Sequence, residues 1–428
     1  MLRALHEAGI KIDVMSGRGV GVAGALFAAI DAAPKTWEAG GVWRRKPAVR
    51  LYRWRRALQL SALLLVASAG VLLIPLLVLA TGLAVYPLSF LVQMVSVDAG
   101  HRMATAYAGW IARAFDAGAL PTYVPRLVTL GVVGAVCTLV AAALPPAMGR
   151  RRHPGHRGRG HWWSRVAGSP WSAEPGLQHF LEVLWPLFRG PVNAERPELA
   201  ELSRRYLELL AENLGQPGFR ELMVTTLDME TRTDLIFAAL REDRRPAFFH
   251  RRQAELIDLA GVGRNQVMDA LAGALSLPVL TRPHVIAFSP ESYWKGEAHR
   301  TCDRPAAVER LMHELGNAGV EQVVVASASA DRSTPHRLDT PGGGLESRVA
   351  EHLAAAEATA IRDAMASQSA RFHGVFVIQP AHNPVGPFDF EGAFDTRSDR
   401  FQSIGELIDR GYEDAYRQFI EPIVGAGG

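Results

Sequence analysis

The spacing of apolar and polar residues changes period several times along the chain. At the start, LRALHEAG reads as the end of a helix and IKIDVM, with Lys11 to Met15 at its centre, as a short strand. A glycine-rich turn then leads into a helical pattern over Val20 to Ala33. From Ala57 through Val97 there is no Asp, Glu, Lys or Arg, a run longer than the ~20 apolar residues that cross a hydrocarbon core. A second apolar run starts at Val124 and ends at Pro145-Pro146. Between the two, Asp98 to Pro121 mixes His101, Arg102, Arg113 and Asp116 with Tyr107, Trp110, Ile111 and Phe115, as in an external or interfacial amphipathic helix.

Beyond residue 170 the period alternates. Helical patterns at Gly176 to Phe188 and Pro197 to Asn213 precede FRELMVTTLDMETRTDLIFAAL, in which two strands flank a polar turn. Asn265 to Leu275 reads as helix, His284 to Phe288 as strand, Ala306 to Asn317 as helix and VEQVVVASAS as a buried strand. The helix Leu345 to Ser367, the strand FHGVFVIQP and an amphipathic packing helix from Ser403 to Ile423 complete the series. Such alternation predicts an α/β fold with a mostly parallel sheet and helices on both faces. The short unit before residue 35 cannot bury its own faces. It is therefore expected to join the later sheet, which leaves the membrane segment as an inserted helical hairpin.

The predicted organisation is a first part of the α/β domain with a basic linker at 1–55, a membrane insert at 56–148 with spans near 57–80 and 124–147, a basic linker at 149–170 and the rest of the domain at 171–428. Charge fixes the orientation. The net value of +3 hides basic clusters at Trp43 to Lys46, Leu51 to Arg56 and Gly149 to Arg165, outside both apolar runs. Both flanks are expected on the cytoplasmic side against anionic headgroups, which requires an even number of crossings. The first residues lack a basic region followed by an apolar one, so a secretory signal is not expected. Cys137 and Cys302 lie far apart and suggest neither a disulfide framework nor a cysteine metal site. No metal or other cofactor and no nucleic-acid partner is expected.

The turn reads Ser16-Gly17-Arg18-Gly19-Val20-Gly21-Val22-Ala23-Gly24 between a strand and a helix. Glycine suits such a turn because it needs positive φ and close backbone approach, and the helix N-terminus that follows offers free N–H groups to an anion. Gly19-x-Gly21-x-x-Gly24 also fits a dinucleotide fingerprint. That motif requires a second strand ending in an acidic residue, whereas here WEAGGVWRRK and the apolar run follow.

LRALHEAGIKIDVMSGRGVGVAGALFAAIDAA resembles the segment of patatin-like phospholipases in which a helix and strand lead into a Gly-x-Ser-x-Gly nucleophile elbow. The resemblance implies a patatin-like fold, an elbow serine that attacks a lipid ester, an aspartate base in an Asp-Gly-Gly or Asp-Gly-Ala element, and a glycine-rich oxyanion loop. Residue by residue, Gly17-Arg18-Gly19-Val20-Gly21 takes the elbow, with Gly19 at the serine position. Glycine supplies no nucleophile. The oxyanion loop would precede Leu2, and SPESYWKGEAHRTCDRPAAVERLMHELGNAGVEQVVVASAS, matched by order, puts Lys295-Gly296 at the aspartate element. HNPVGPFDFEGAFDTRSDRFQSIGELIDRGYEDAYRQFIEPIVG resembles the terminal region of a bacterial patatin-like subgroup, implying a bacterial inner membrane.

The resemblance implies a catalytically degenerate homologue that binds a membrane lipid, phospholipid or fatty acyl, or plays a regulatory role. Gly17, Arg18, Gly19, Gly21, Lys295 and Gly296 are the candidate ligand-binding residues. One alternative is an active lipid acyl hydrolase in which Ser16 or Ser289 is a displaced nucleophile and Asp303 or His299 its base. A third is a structural membrane scaffold with the space between Gly19 and Lys295 filled. His299-x-x-Cys302-Asp303 contains metal-ligand types but reads better as a hydrogen-bonded loop. Asp389, Glu391, Asp395 and Asp399 alternate with Phe388, Phe390 and Phe394, as in a half-buried segment whose carboxylates pair with Arg397 and Arg400.

Overall fold

The computed structural model describes residues 1–143, 168–189, 195–250, 252–330, 344–381, 392–395 and 398–425. Most of the second basic linker, the Pro145-Pro146 end of the second apolar run, and Asp389, Glu391 and Arg397 lie outside the described residues. The chain divides into two compact units, Met1–Arg53 with Trp171–Gly428, and Trp54–Pro170.

The first unit is mixed α/β and built on a six-stranded sheet. Its strands are β1 (Val14–Gly17), β2 (Glu221–Asp228), β3 (Thr233–Ala239), β4 (Leu256–Asp258), β5 (His284–Ala287) and β6 (Ala298–Cys302). The sheet is mixed, not mostly parallel as expected. β1 runs parallel to β2 and β3 to β4, but β2–β3, β2–β6 and β5–β6 are antiparallel. Hairpins explain the difference. Asp228 bonds the backbone N–H of Glu230 and the hydroxyl of Thr231, which tightens the β2–β3 turn and returns the chain beside itself. Two further strands, β7 (Gln322–Ala326) and β8 (Gly374–Ile378), pair in parallel in a separate ribbon.

Both faces of the sheet are covered. Leu222, Val224, Leu235 and Phe237 point into a core completed by the helices Gly21–Ala29, Glu174–Phe188, Leu199–Asn213 and Val267–Leu275. The alternate residues Met223, Ile236 and Ala238 point into a second core with Leu311, Met312, Leu315 and Ala364. This alternation is the two-residue period of a strand buried on both sides. The helix Gly21–Ala29 is apolar nearly all round and nearly all buried, with the Leu26 carbonyl accepting a bond from Tyr206 Oη at 2.8 Å.

The second unit contains helices Arg56–Ala80, Gly82–Gln93, Val97–Ala114 and Leu120–Ala143. Two stretches, Arg56–Gln93 and Leu120–Ala142, are long and apolar enough to cross a membrane. The 25-residue helix Arg56–Ala80 spans about 37 Å at ~1.5 Å per residue. Burial is inverted relative to a water-facing helix pair. Leu63, Val66, Leu72, Leu76 and Leu77 are exposed, whereas Ser61 and Ser68 are buried between helices. Ser61 Oγ lies 3.2 Å from the Ala135 carbonyl and 2.5 Å from Thr138 Oγ1, and Gly131 gives Ser68 room. Polar and small residues inside with aliphatic residues outside is the arrangement that a hydrocarbon solvent favours.

Candidate functional site

Strand register builds the site. β1 lies along one edge of β2 with Gly17 opposite Val224, and β6 lies along the same edge with Cys302 opposite Leu227. Because β1 is parallel to β2 and β6 antiparallel, their C-terminal ends point at each other, separated by about 10 Å of β2 at ~3.3 Å per residue. The turn leaving β1 therefore meets the first residue beyond β6. That residue is Asp303, held by its backbone N–H to the Ser276 carbonyl at 2.8 Å.

The turn itself requires glycine at two positions. A β-carbon on Gly17 would lie 2.8 Å from the carbonyl oxygen of Gly21, so nothing larger fits where the chain doubles back into the helix. Gly19 has φ of +53°. A β-carbon there would lie 3.1 Å from Asp303 Oδ2 and 3.5 Å from its Cγ. A side chain at position 19 would thus be aimed at the carboxylate, from a left-handed residue on a sharp strand-to-helix turn.

Arg18 occupies the space. Its Nη1 donates to Asp303 Oδ2 at 2.7 Å and its Nη2 to Glu357 Oε2 at 2.7 Å. Glu357 Oε1 accepts a long bond from Ser327 Oγ at 3.4 Å. The Arg18 and Asp303 side chains are only 15% and 9% exposed, so this ion pair is shut away from water. Asp303 Oδ1 is buried with no hydrogen-bond partner among the described residues. Burial pushes the Asp303 carboxyl above its usual range, against the opposing pull of Arg18. Burial likewise raises the Tyr52 phenol, with a smaller contribution from the Asp303 charge, and its hydroxyl is fixed on the Leu275 carbonyl at 3.1 Å.

The arrangement gathers Gly17, Arg18, Gly19 and Gly21 in one turn, but Lys295 and Gly296 belong elsewhere. They form the exposed end of the β5–β6 hairpin, with φ of +46° and +84°, where the Lys295 and Gly296 N–H groups bond to the carbonyls of Ser292 and Ser289. The residue that faces Gly19 is therefore Asp303 and not Lys295, because β6 lies between the Lys295 turn and the glycine turn.

The displaced-nucleophile alternatives also find structural roles. Ser16 lies within β1, opposite Met223. Ser289 Oγ accepts the Glu291 N–H in the hairpin end. His299 is buried, with Nδ1 2.6 Å from Asp228 Oδ2 and Nε2 3.3 Å from Glu297 Oε2, beneath the rings of Phe288 and Trp294. Among the described residues no group of His, Cys, Asp and Glu is arranged to hold a metal ion. Burial pushes the Cys302 thiol up to about 11, so it is not a thiolate at neutral pH. Glu357 is not among the candidates from sequence, where it is one carboxylate within the alanine-rich stretch LAAAEATA with no motif around it. No family model matches the chain, and no curated protein matches it.

Proposed function

We propose that this chain is a membrane-anchored, patatin-like protein whose elbow site is catalytically silent and internally closed. The observation that carries the reading is Gly19 at positive φ, aimed at a buried Asp303 with no nucleophile between them. Without an oxygen or sulfur at position 19, covalent acyl transfer has no first step at this turn.

Of the non-catalytic roles, the geometry favours a structural or regulatory one over an anion-binding turn. Arg18, the cation that would have attracted a lipid carboxylate or phosphate, is engaged by two carboxylates, and a third anion would have to displace one of them. The exposed aliphatic surface and buried serines of the helices Arg56–Ala80 and Leu120–Ala143 support anchoring in a bilayer. Both basic flanks would then sit on the cytoplasmic side of a bacterial inner membrane.

The test is labelling of detergent-purified protein with a fluorophosphonate serine-hydrolase probe, beside a phospholipid-release assay. The natural protein is expected to give neither label nor product. Labelling that maps to any serine, together with product release, would overturn the silent-site reading in favour of an acyl hydrolase.

A further inference from the structure

The loop Leu277–Thr281 holds an unusual residue in an unusual place. Val279 is β-branched, yet it has φ of +66° and is 88% exposed. A β-branched side chain in the left-handed region is strained, and nothing about an exposed water-facing loop calls for that strain. The loop is nevertheless firmly held. Leu277 and Leu280 on either side are buried, the Leu280 N–H bonds the Pro278 carbonyl at 2.7 Å, and Thr281 bonds the Leu277 carbonyl through both its N–H and its hydroxyl. Val279 is displayed by a fixed support.

The support is built from the two places where the chain leaves and rejoins this unit. Leu277 and Leu280 form one small apolar cluster with Trp171, and Tyr52 packs against it. Tyr52 adjoins Arg53, the last residue of this unit before the chain leaves it, and Trp171 is the first residue after the chain returns. The Trp171 N–H donates to the Leu280 carbonyl at 3.0 Å, and Tyr52 is tied to Leu275. Arg53 and Arg282 are exposed at this same corner, and Arg44, Arg45, Lys46 and Arg50 are exposed on the segment leading to Tyr52.

We propose that the Val279 loop is a membrane-contact element, in which Val279 inserts among the lipids at the headgroup boundary while the flanking basic side chains meet anionic phosphates. The proposal rests on the membrane-anchored reading above. It follows because only Trp54 and Arg55 separate this corner from the helix Arg56–Ala80, so a bilayer entered by that helix begins within a few residues of it, and the corner carries both an exposed valine and positive charge. The occupant is a phospholipid surface containing anionic headgroups.

The test uses the full chain in vesicles of phosphatidylethanolamine and phosphatidylglycerol, with Cys137→Ala and a single environment-sensitive bimane at Val279→Cys or, separately, at Leu65→Cys. Leu65 is an exposed residue of the helix Arg56–Ala80. Lipids carrying a nitroxide near the headgroup end of the acyl chain report proximity by quenching. Both labels are expected to lose most of their intensity, the Val279 label more with the shallow nitroxide than with one at the chain terminus. Quenching at Leu65 with an unquenched Val279 label would overturn the loop contact and leave the anchoring intact. No quenching at Leu65 would overturn the anchoring, and the loop contact with it.

Discussion

Adding a β-carbon at Gly19, with and without a hydroxyl, separates what the turn costs from what Asp303 can offer. An L residue in the left-handed region costs about 1–2 kcal/mol, and crowding Asp303 Oδ2 at 3.1 Å adds to that, so Gly19→Ala is expected to destabilise by about 2 kcal/mol. Gly19→Ser carries the same β-carbon but places an Oγ beside a carboxylate that has a buried, unpartnered oxygen. A hydrogen bond there should return about 1 kcal/mol, making Ser the less damaging substitution. At roughly 2–4 °C per kcal/mol, thermal unfolding should fall by roughly 4–8 °C for Ala and by about half as much for Ser. In an Asp303→Ala background the difference between Ser and Ala should disappear. A neutral Gly19→Ala would refute the left-handed turn. Equal losses for Ala and Ser would refute the claim that Asp303 reaches position 19. Fluorophosphonate labelling of the Gly19→Ser protein, against none of Gly19→Ala, would add that the introduced hydroxyl is also reactive.

Three further outcomes are expected. Asp303 has a raised folded-state pKa, so its contribution to stability is fully present below the ordinary aspartate range and is lost as pH rises through the folded value; chemical denaturation of Asp303→Asn across pH should show that loss removed, and an unchanged profile would count against the burial penalty. Gly17→Ala must push a methyl into the Gly21 carbonyl, and urea melts should show it losing more stability than Gly21→Ala, whose β-carbon meets nothing within 4 Å. Val279→Gly relieves a left-handed β-branched residue and should gain about 1 kcal/mol in detergent, where no bilayer contact is at stake; a loss would mean the positive φ is not strained.

Much of the fold was legible because the signals were local. FRELMVTTLDMETRTDLIFAAL reads as two strands about a polar turn, as β2 and β3 are, and the uncharged run from Ala57 reads as a long apolar helix. Two strands of the six-stranded sheet were not legible. β4 has three residues, too few to show a period, and β6 reads AHRTC, in which Ala298 and Arg300 are exposed while the polar His299 and Thr301 are buried by partners distant in sequence. β6 makes the sheet mixed by pairing antiparallel with β2 and β5, and it carries the chain from the Lys295 turn onward to Asp303, the residue that faces Gly19. The contact between residues 18 and 303 spans 285 positions and is decided by two strands meeting on one edge of β2.

With glycine at position 19 no side chain there meets Asp303, and its buried carboxylate bears a cost of leaving water. The chain answers that cost with Arg18, and Arg18 in turn requires the second carboxylate of Glu357 to share its five donors. The result ties the glycine turn, the end of β6 and the long helix Leu345–Gln368 through one guanidinium. Lysine could not do this, since a single ammonium lacks the planar fork that reaches two carboxylates at 2.7 Å in fixed directions. Breaking the bridge at Arg18 leaves Asp303 buried without its cation, a larger penalty than losing the partly exposed Glu357. The site is therefore organised to hold a charge in place.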